Sequence, residues 1–444
     1  WRISRARRGL RIECLGSRGC WGLSSGSFDL KKIPALQDVD DVNSSLDYLF
    51  FLFFIVFPSL FVVSKIGGKT AEVIYVLLSF TGFYICKKNM AYYYKISMKG
   101  ATLFLYLIIL FLFISILIGF PIADSGLWGG GSDMDEALEI SVRALLSGHF
   151  PYYQKTYLGA PITPMPGAIL LSVPFVLLNL VQFQNLFWII ILAFVLKKEY
   201  GCKVAVLVFL LPLVFSPTIL HNLIIGSDYI SNSLYVFIFL HWVIEAASWR
   251  SERLWKVALP SLCLGIGLSS RIIFLPLIIP LLVYLRRTVG GKCLFLVLFA
   301  SLGAFCVLTL PFYLFDPRGF SPLHTMGFVQ GYGMHDLTVK VVMLVLTGIV
   351  GLAPLMGKIQ PSRKSLVLSG AAFLITPVVL NTAFALIANG NKGIFFSFYG
   401  VFSVFWGAYV LTAPDPPRPA VTEGLELGEI SMAHPFPEKR EADA

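Results

Sequence analysis

A succession of long apolar runs, separated by short polar connections, constrains this chain more than any other feature. The runs cover residues 47–64, 70–86, 101–120, 167–196, 204–220, 229–247, 257–270, 272–285, 293–313, 338–356, 366–388 and 393–412. Several approach the roughly 20 residues that a helix needs to cross the hydrocarbon core of a bilayer. With a mean hydropathy of +0.78, the chain carries more apolar surface than a water-soluble core can hide. Backbone polar groups inside lipid must be satisfied within their own segment, and the runs are continuous rather than alternating, which favours helices over a barrel. The expected fold is all-α, a polytopic transmembrane helical bundle of about 11–13 spans surrounded by membrane lipids.

The net charge of +10 is informative by position. In a chain of this kind it reports topology rather than nucleic-acid binding. Short loops at 87–99, 197–203, 249–256, 286–292 and 357–364 hold 16 of the 35 Lys and Arg residues. The alternate connections hold Lys65, Lys69, Arg143, Lys155, Arg271, Arg318 and Lys392, although they include the two longest loops. The basic loops share one side only if 167–196 crosses an odd number of times. By the positive-inside rule that side is cytoplasmic, which puts both termini inside and residues 121–166, 217–228, 269–271 and 314–337 outside.

Residues 1–46 read as a basic cytoplasmic leader with no cleavable signal peptide at its start, a candidate for sequence foreign to the folded protein, and no function is assigned to it. Residues 47–412 form the transmembrane domain. Residues 413–444, Pro-rich and acidic with no apolar face, read as a disordered cytoplasmic tail. The seven cysteines follow no paired spacing and indicate neither a zinc site nor a disulfide framework.

The unusual polar residues gather on the outer side. Gly131-Ser132-Asp133-Met134-Asp135-Glu136 follows the span at 101–120. Behind it, Asp135 to Ser147 reads as an amphipathic helix with Leu138, Val142 and Leu145 along one face; too short to cross, it belongs in the interface. The acids have two readings. As a helix cap, Ser132 or Asp133 accepts from the first backbone amides. As chemistry, Asp133 or Asp135 is a general base that deprotonates an acceptor hydroxyl, or one of them joins Glu136 in holding a divalent cation.

Arg271 interrupts an otherwise apolar stretch where two short spans meet. Desolvating a guanidinium is costly without an anion, so a phosphate partner and a snorkelling or ion-paired structural role are both open. On the neighbouring outer loop, His221 and Asp228 are candidate substrate-binding residues, with a lone histidine and a helix cap as the plainer alternatives. Tyr152 and Tyr153 suit either sugar stacking or interfacial anchoring. His335, beside Asp336, forms a further candidate without decisive spacing.

An acidic motif after an early span, an interfacial helix, then Gly148-His149-Phe150-Pro151-Tyr152 and Gly159-Ala160-Pro161-Ile162-Thr163-Pro164-Met165-Pro166-Gly167 leading into the next span resembles the first outer loop of the GT-C superfamily of membrane glycosyltransferases. Pro311-Phe312-Tyr313-Leu314-Phe315-Asp316-Pro317 is similar to a late loop of its bacterial members that use polyprenyl-phosphate sugars. The resemblance implies inverting transfer of a sugar from a polyprenyl-phosphate donor to a glycan, lipid or protein acceptor at the outer face of a bacterial plasma membrane. Asp133 matches the acid that accepts the acceptor's proton, and Asp135 completes a D-x-D form. No cofactor is required as first choice; Mg or Mn held by Asp133, Asp135 and Glu136 is the alternative. A lipid-linked glycan transporter or flippase is the competing function, disfavoured because transporters place ionisable groups near mid-membrane whereas these spans are almost free of charge. A non-enzymatic scaffold is the third reading.

Overall fold

The computed structural model describes residues 2–5, 10–13, 45–126, 133–248, 255–289, 291–323, 337–356 and 361–414. The expectations for the leader and the tail fall mostly outside these residues, as does that for His335. In the unit formed by the first 47 residues, Arg2–Arg5 pairs antiparallel with Leu10–Glu13. The remaining unit is an all-α, polytopic helical bundle, and the chain is an integral membrane protein.

Its principal helices are α1 (Ser45–Lys88), α2 (Met98–Asp124), α3 (Met134–Leu146), α4 (Pro166–Leu177), α5 (Gln184–Tyr200), α6 (Cys202–Phe215), α7 (Pro217–Ile224), α8 (Tyr229–Ser248), α9 (Trp255–Leu268), α10 (Ile278–Thr288), α11 (Gly291–Phe315), α12 (Leu337–Met356), α13 (Arg363–Asn389) and α14 (Val401–Thr412). Among the described residues, eight helices are long and apolar enough to cross a membrane, or up to nine when α6 and α7, bent by 88°, count as one span. The sequence suggests more, and the difference is one of helix length and continuity. The two runs at 47–64 and 70–86 are two helical arms of α1 that double back on each other at Gly67 and Gly68, the latter at φ +61, a conformation that a Cβ disfavours. Phe51 of one arm stacks on Phe83 of the other at 4.1 Å, and the Tyr75 hydroxyl donates to the Val56 carbonyl at 3.4 Å, so the two runs are separate, as the sequence suggests. The pair at 257–270 and 272–285 resolves into the short α9, a 3-10 segment at Ile272–Leu277 and α10.

The run at 167–196 also divides. Pro166 opens α4, where its missing N–H costs nothing, and the Gly167 amide donates to the Ser269 carbonyl at 3.0 Å. Just past the other end of α4, Asn179 accepts a hydrogen bond from Arg143 of α3 at 3.0 Å. Both ends of α4 therefore stay near α3 and the 269–271 turn. Only α5 continues to the opposite end of α8, where the Tyr200 and Tyr409 hydroxyls meet at 2.6 Å and Lys198 pairs with Glu245 at 3.6 Å. The run contributes a single crossing, the odd number on which the charge-derived topology depends.

Helices α8 and α14 are mostly buried, while α2, α11 and α12 keep most of their surface exposed. A helix apolar on all sides belongs inside a bundle, and α8 has that character. The amphipathic α3 instead buries Ala137, Leu138, Ser141 and Val142 against Ile169 and Val176 of α4, leaving Glu139 and Arg143 in an exposed i,i+4 ion pair of 2.7 Å. Close approach to the 269–271 turn requires Gly167, because a Cβ there would lie 2.1 Å from the Ile266 carbonyl oxygen. Gly167→Ala is expected to destabilise the protein by about 1–3 kcal/mol through overpacking. Denaturant titration of the purified membrane protein measures the loss.

Candidate active site

Asp133 stands at the N-terminus of α3, yet its side chain caps nothing. Its Oδ2 accepts a 2.6 Å hydrogen bond from the Thr156 hydroxyl. That hydroxyl in turn accepts from the Ala160 amide at 3.1 Å, and the Thr156 amide donates to the Ala160 carbonyl at 3.0 Å, closing a turn that includes Gly159 at φ +77. With the amide proton already aimed at its oxygen, Thr156 directs its own proton to Asp133. Glu136 grips the same loop by accepting from the Tyr157 amide at 2.9 Å.

Asp135 faces elsewhere. Its Cβ lies against Gly226 and near the Phe120 ring, so the D-x-D form does not bring two acids to one point. Burial pushes the Asp135 carboxyl up from its ordinary 3.8 to about 6, against the opposing pull of backbone amides at the start of α3. No group of three or more His, Cys, Asp or Glu side chains suited to a metal ion occurs among the described residues.

A carboxyl that titrates higher in the folded state stabilises the fold while protonated and loses that contribution as pH climbs from about 4 through 6. Asp135→Asn is therefore expected to melt at a higher temperature than wild type at pH 7.5, with the difference shrinking toward pH 4. Thermal denaturation across that range checks it.

Arg271 begins the 3-10 segment and is held from three directions. Its Nη2 donates to both oxygens of Asp228 at 2.7 Å, its Nη1 donates to Thr163 at 2.9 Å, and its guanidinium lies 4.9 Å from the centre of the Tyr229 ring. Burial opposes the charge, but the Asp228 carboxylate outweighs it and holds the pKa above the ordinary arginine value. Asp228, whose side chain is fully buried, also accepts from Asn232 at 2.8 Å, and Asn232 accepts from Tyr235. The Arg271 Nε is buried without a hydrogen-bond partner among the described residues.

Asp133 and Arg271 line one cavity of about 930 Å³. Thr156, Thr163, Arg318 and Ser321 add polar groups, while Met343, Pro377, Phe395, Phe396, Tyr399 and Phe402 are among its apolar walls. Acid and guanidinium, far apart in the chain, thus border a common space. The other candidates among the described residues do not line it. Tyr152 is buried in a small core against Phe312 and Phe320. Tyr153 is exposed and donates to Asp316 at 2.9 Å. His221 packs edge-on against Phe398 with ring centres 5.7 Å apart. Asp228 acts through Arg271 rather than facing the cavity.

Sequence reasoning did not single out Thr156, Arg318 or Asn381. Thr156 precedes the proline-rich motif, and Arg318 follows Asp316-Pro317, so both had a local signal. Asn381 carried a different one, a polar side chain within an apolar span; it lines the cavity with its Oδ1 buried and without a hydrogen-bond partner among the described residues. No protein-family model, curated protein or solved structure matches the chain.

Proposed function

We propose that this chain is a membrane glycosyltransferase of the GT-C kind, transferring a sugar from a polyprenyl-phosphate donor to an acceptor hydroxyl with inversion. The observation that carries the reading is the convergence of Asp133 and Arg271 on one largely apolar-walled cavity. A lipid phosphate needs those two environments together: a cation for its head and apolar surface for its chain.

In the proposed reaction an acceptor hydroxyl attacks the anomeric carbon from the face opposite the phosphate. The new carbon–oxygen bond forms as the sugar–phosphate bond breaks, with its electron pair leaving on the phosphate oxygen. Asp133 takes the hydroxyl proton, and polyprenyl phosphate departs. Thr156 orients the carboxylate, and the guanidinium of Arg271, held by Asp228 and Thr163, stabilises charge developing on the leaving phosphate. No metal is required in this scheme as first choice, with Mg or Mn as the alternative. Glycan, lipid and protein hydroxyls all remain within the proposed acceptor class.

The reading places the site on the extracytoplasmic face of a bacterial plasma membrane with both termini inside, supported by the charge distribution of the loops. Activated nucleotides are cytoplasmic, so an outer-face transferase needs a membrane-borne donor. Purified protein in lipid should release polyprenyl phosphate and glycosylated product from a panel of polyprenyl-phosphate hexoses and pentoses, with nucleotide sugars inert. Donor translocation without either product would favour the flippase, and efficient direct use of a nucleotide sugar would exclude the donor class. A cysteine at the exposed Lys155 should react with an impermeant reagent in intact cells; labelling only after permeabilisation would invert the topology.

A further inference from the structure

The charges that border the cavity do not balance in the way a lone Arg271 would suggest. Asp228 gives Arg271 a bidentate anionic partner, so much of that cation's field is already compensated. Arg318 lines the same cavity, is exposed, and makes no ion pair with a described acidic side chain. It is therefore the less compensated of the two cations, with the Asp316 carboxylate acting on it at longer range than a contact ion pair.

The turn that carries Arg318 is built rather than loose. Asp316 accepts from the Arg318 amide at 3.0 Å through one oxygen and from the Tyr153 hydroxyl at 2.9 Å through the other. A Cβ at Gly319 would fall 2.4 Å from the second of these oxygens and 2.8 Å from the Tyr153 ring, so the tight turn needs glycine there. Phe320 is fully buried in the small core beside Tyr152, and the Ser321 hydroxyl donates to the Ile162 carbonyl at 2.5 Å. The oxygens of the nearby acid are thus engaged within the turn, although its charge still acts on Arg318, and both flanks of Arg318 are tied to the 150–165 loop. Such anchoring lowers the ordering cost of presenting a flexible side chain to a ligand.

We propose that Arg318 is the principal phosphate-binding residue of the cavity, contacting the head of a lipid phosphate while Arg271, fixed by Asp228, serves beside it. This rests on the reading of the cavity as a lipid-phosphate sugar site. It also gives the Pro311–Pro317 motif a role, as the helix end and turn that set Arg318 in place.

The test measures binding of a polyprenyl monophosphate, the corresponding polyprenol and inorganic phosphate to the full chain in lipid nanodiscs. Wild type should bind the lipid phosphate more tightly than the alcohol. Arg318→Ala should weaken lipid-phosphate binding about 10- to 100-fold, the scale of a lost hydrogen-bonded charge contact, and leave polyprenol binding unchanged. Arg318→Lys should recover part of the affinity. Arg143→Ala removes an equal charge from the exposed pair with Glu139 and should change nothing. If wild type favours the phosphate and Arg318→Ala retains that preference, the assignment of Arg318 fails while the glycosyltransferase reading stands. If wild type does not distinguish phosphate from alcohol, both fail. Inorganic phosphate binding as tightly as the lipid phosphate would overturn the lipid assignment. Matching melting temperatures for wild type and Arg318→Ala tie any loss to the site rather than to folding.

Discussion

Asp133→Asn is expected to lower sugar transfer about 100- to 10,000-fold, the range associated with loss of a general base, while leaving the fold intact. Asparagine matches aspartate in shape, and its amide oxygen still accepts from the Thr156 hydroxyl that now contacts Asp133 at 2.6 Å. It cannot take a proton from an acceptor hydroxyl. Asp133 is not a side-chain cap of α3, so no capping contribution is lost with the charge. The comparison with Asp135→Asn separates the two acids: Asp135 lies against Gly226 outside the cavity lining, and its neutralisation should leave transfer close to wild type. Initial rates of product formation from a polyprenyl-phosphate sugar, measured for both variants with matched melting profiles, decide the matter. Near-wild-type transfer by Asp133→Asn would falsify its role as base.

The separation of those acids shows where a sequence pattern stops. A D-x-D form reads as a pair when written in a line, but residues two apart at the start of a helix do not face the same way. Asp133, just before α3, turns to the Thr156 loop, and Asp135, inside it, turns to Gly226. The amphipathic α3 itself was legible because its apolar positions repeat with helical spacing and bury one stripe. Arg271 was legible as an anomaly, since a lone guanidinium in an apolar stretch demands a partner. The partner's identity was not, because Asp228 belongs to a distant segment and looks locally like an ordinary cap residue. The course of the shorter helices was less legible for a related reason. Hydropathy records apolar length, and it separated the two arms that meet at Gly67–Gly68, whereas the return of α4 toward α3 depends on tertiary contacts. Among the tyrosines, burial of Tyr152 and exposure of Tyr153 were set by how the 150–165 loop packs on Phe312 and Phe320, which no composition rule supplies.

Asp228→Ala is expected to produce the largest loss of stability, about 3–5 kcal/mol, because it strips the anion from a buried ion pair and leaves the guanidinium uncompensated. The Asp228 side chain is fully buried and that of Arg271 only 14% exposed, so water cannot readily replace the missing carboxylate. Asn232 would also lose the acceptor it now reaches at 2.8 Å. Asp228→Asn keeps the shape and one acceptor but not the charge, and should fall between Ala and wild type. The paired variant Asp228→Leu with Arg271→Met offers the sharper comparison. Replacing both charges with apolar groups of similar size removes the desolvation cost along with the attraction, and such replacements are often neutral or stabilising. The double variant should therefore be markedly more stable than Asp228→Ala alone, yet impaired in donor binding because the guanidinium is gone. Denaturant titration of each protein in lipid, together with polyprenyl-phosphate binding, reads the two effects separately. A double variant that binds donor as wild type does would make the ion pair purely structural, whereas restored stability with lost binding would tie the same buried contact to both the fold and the site.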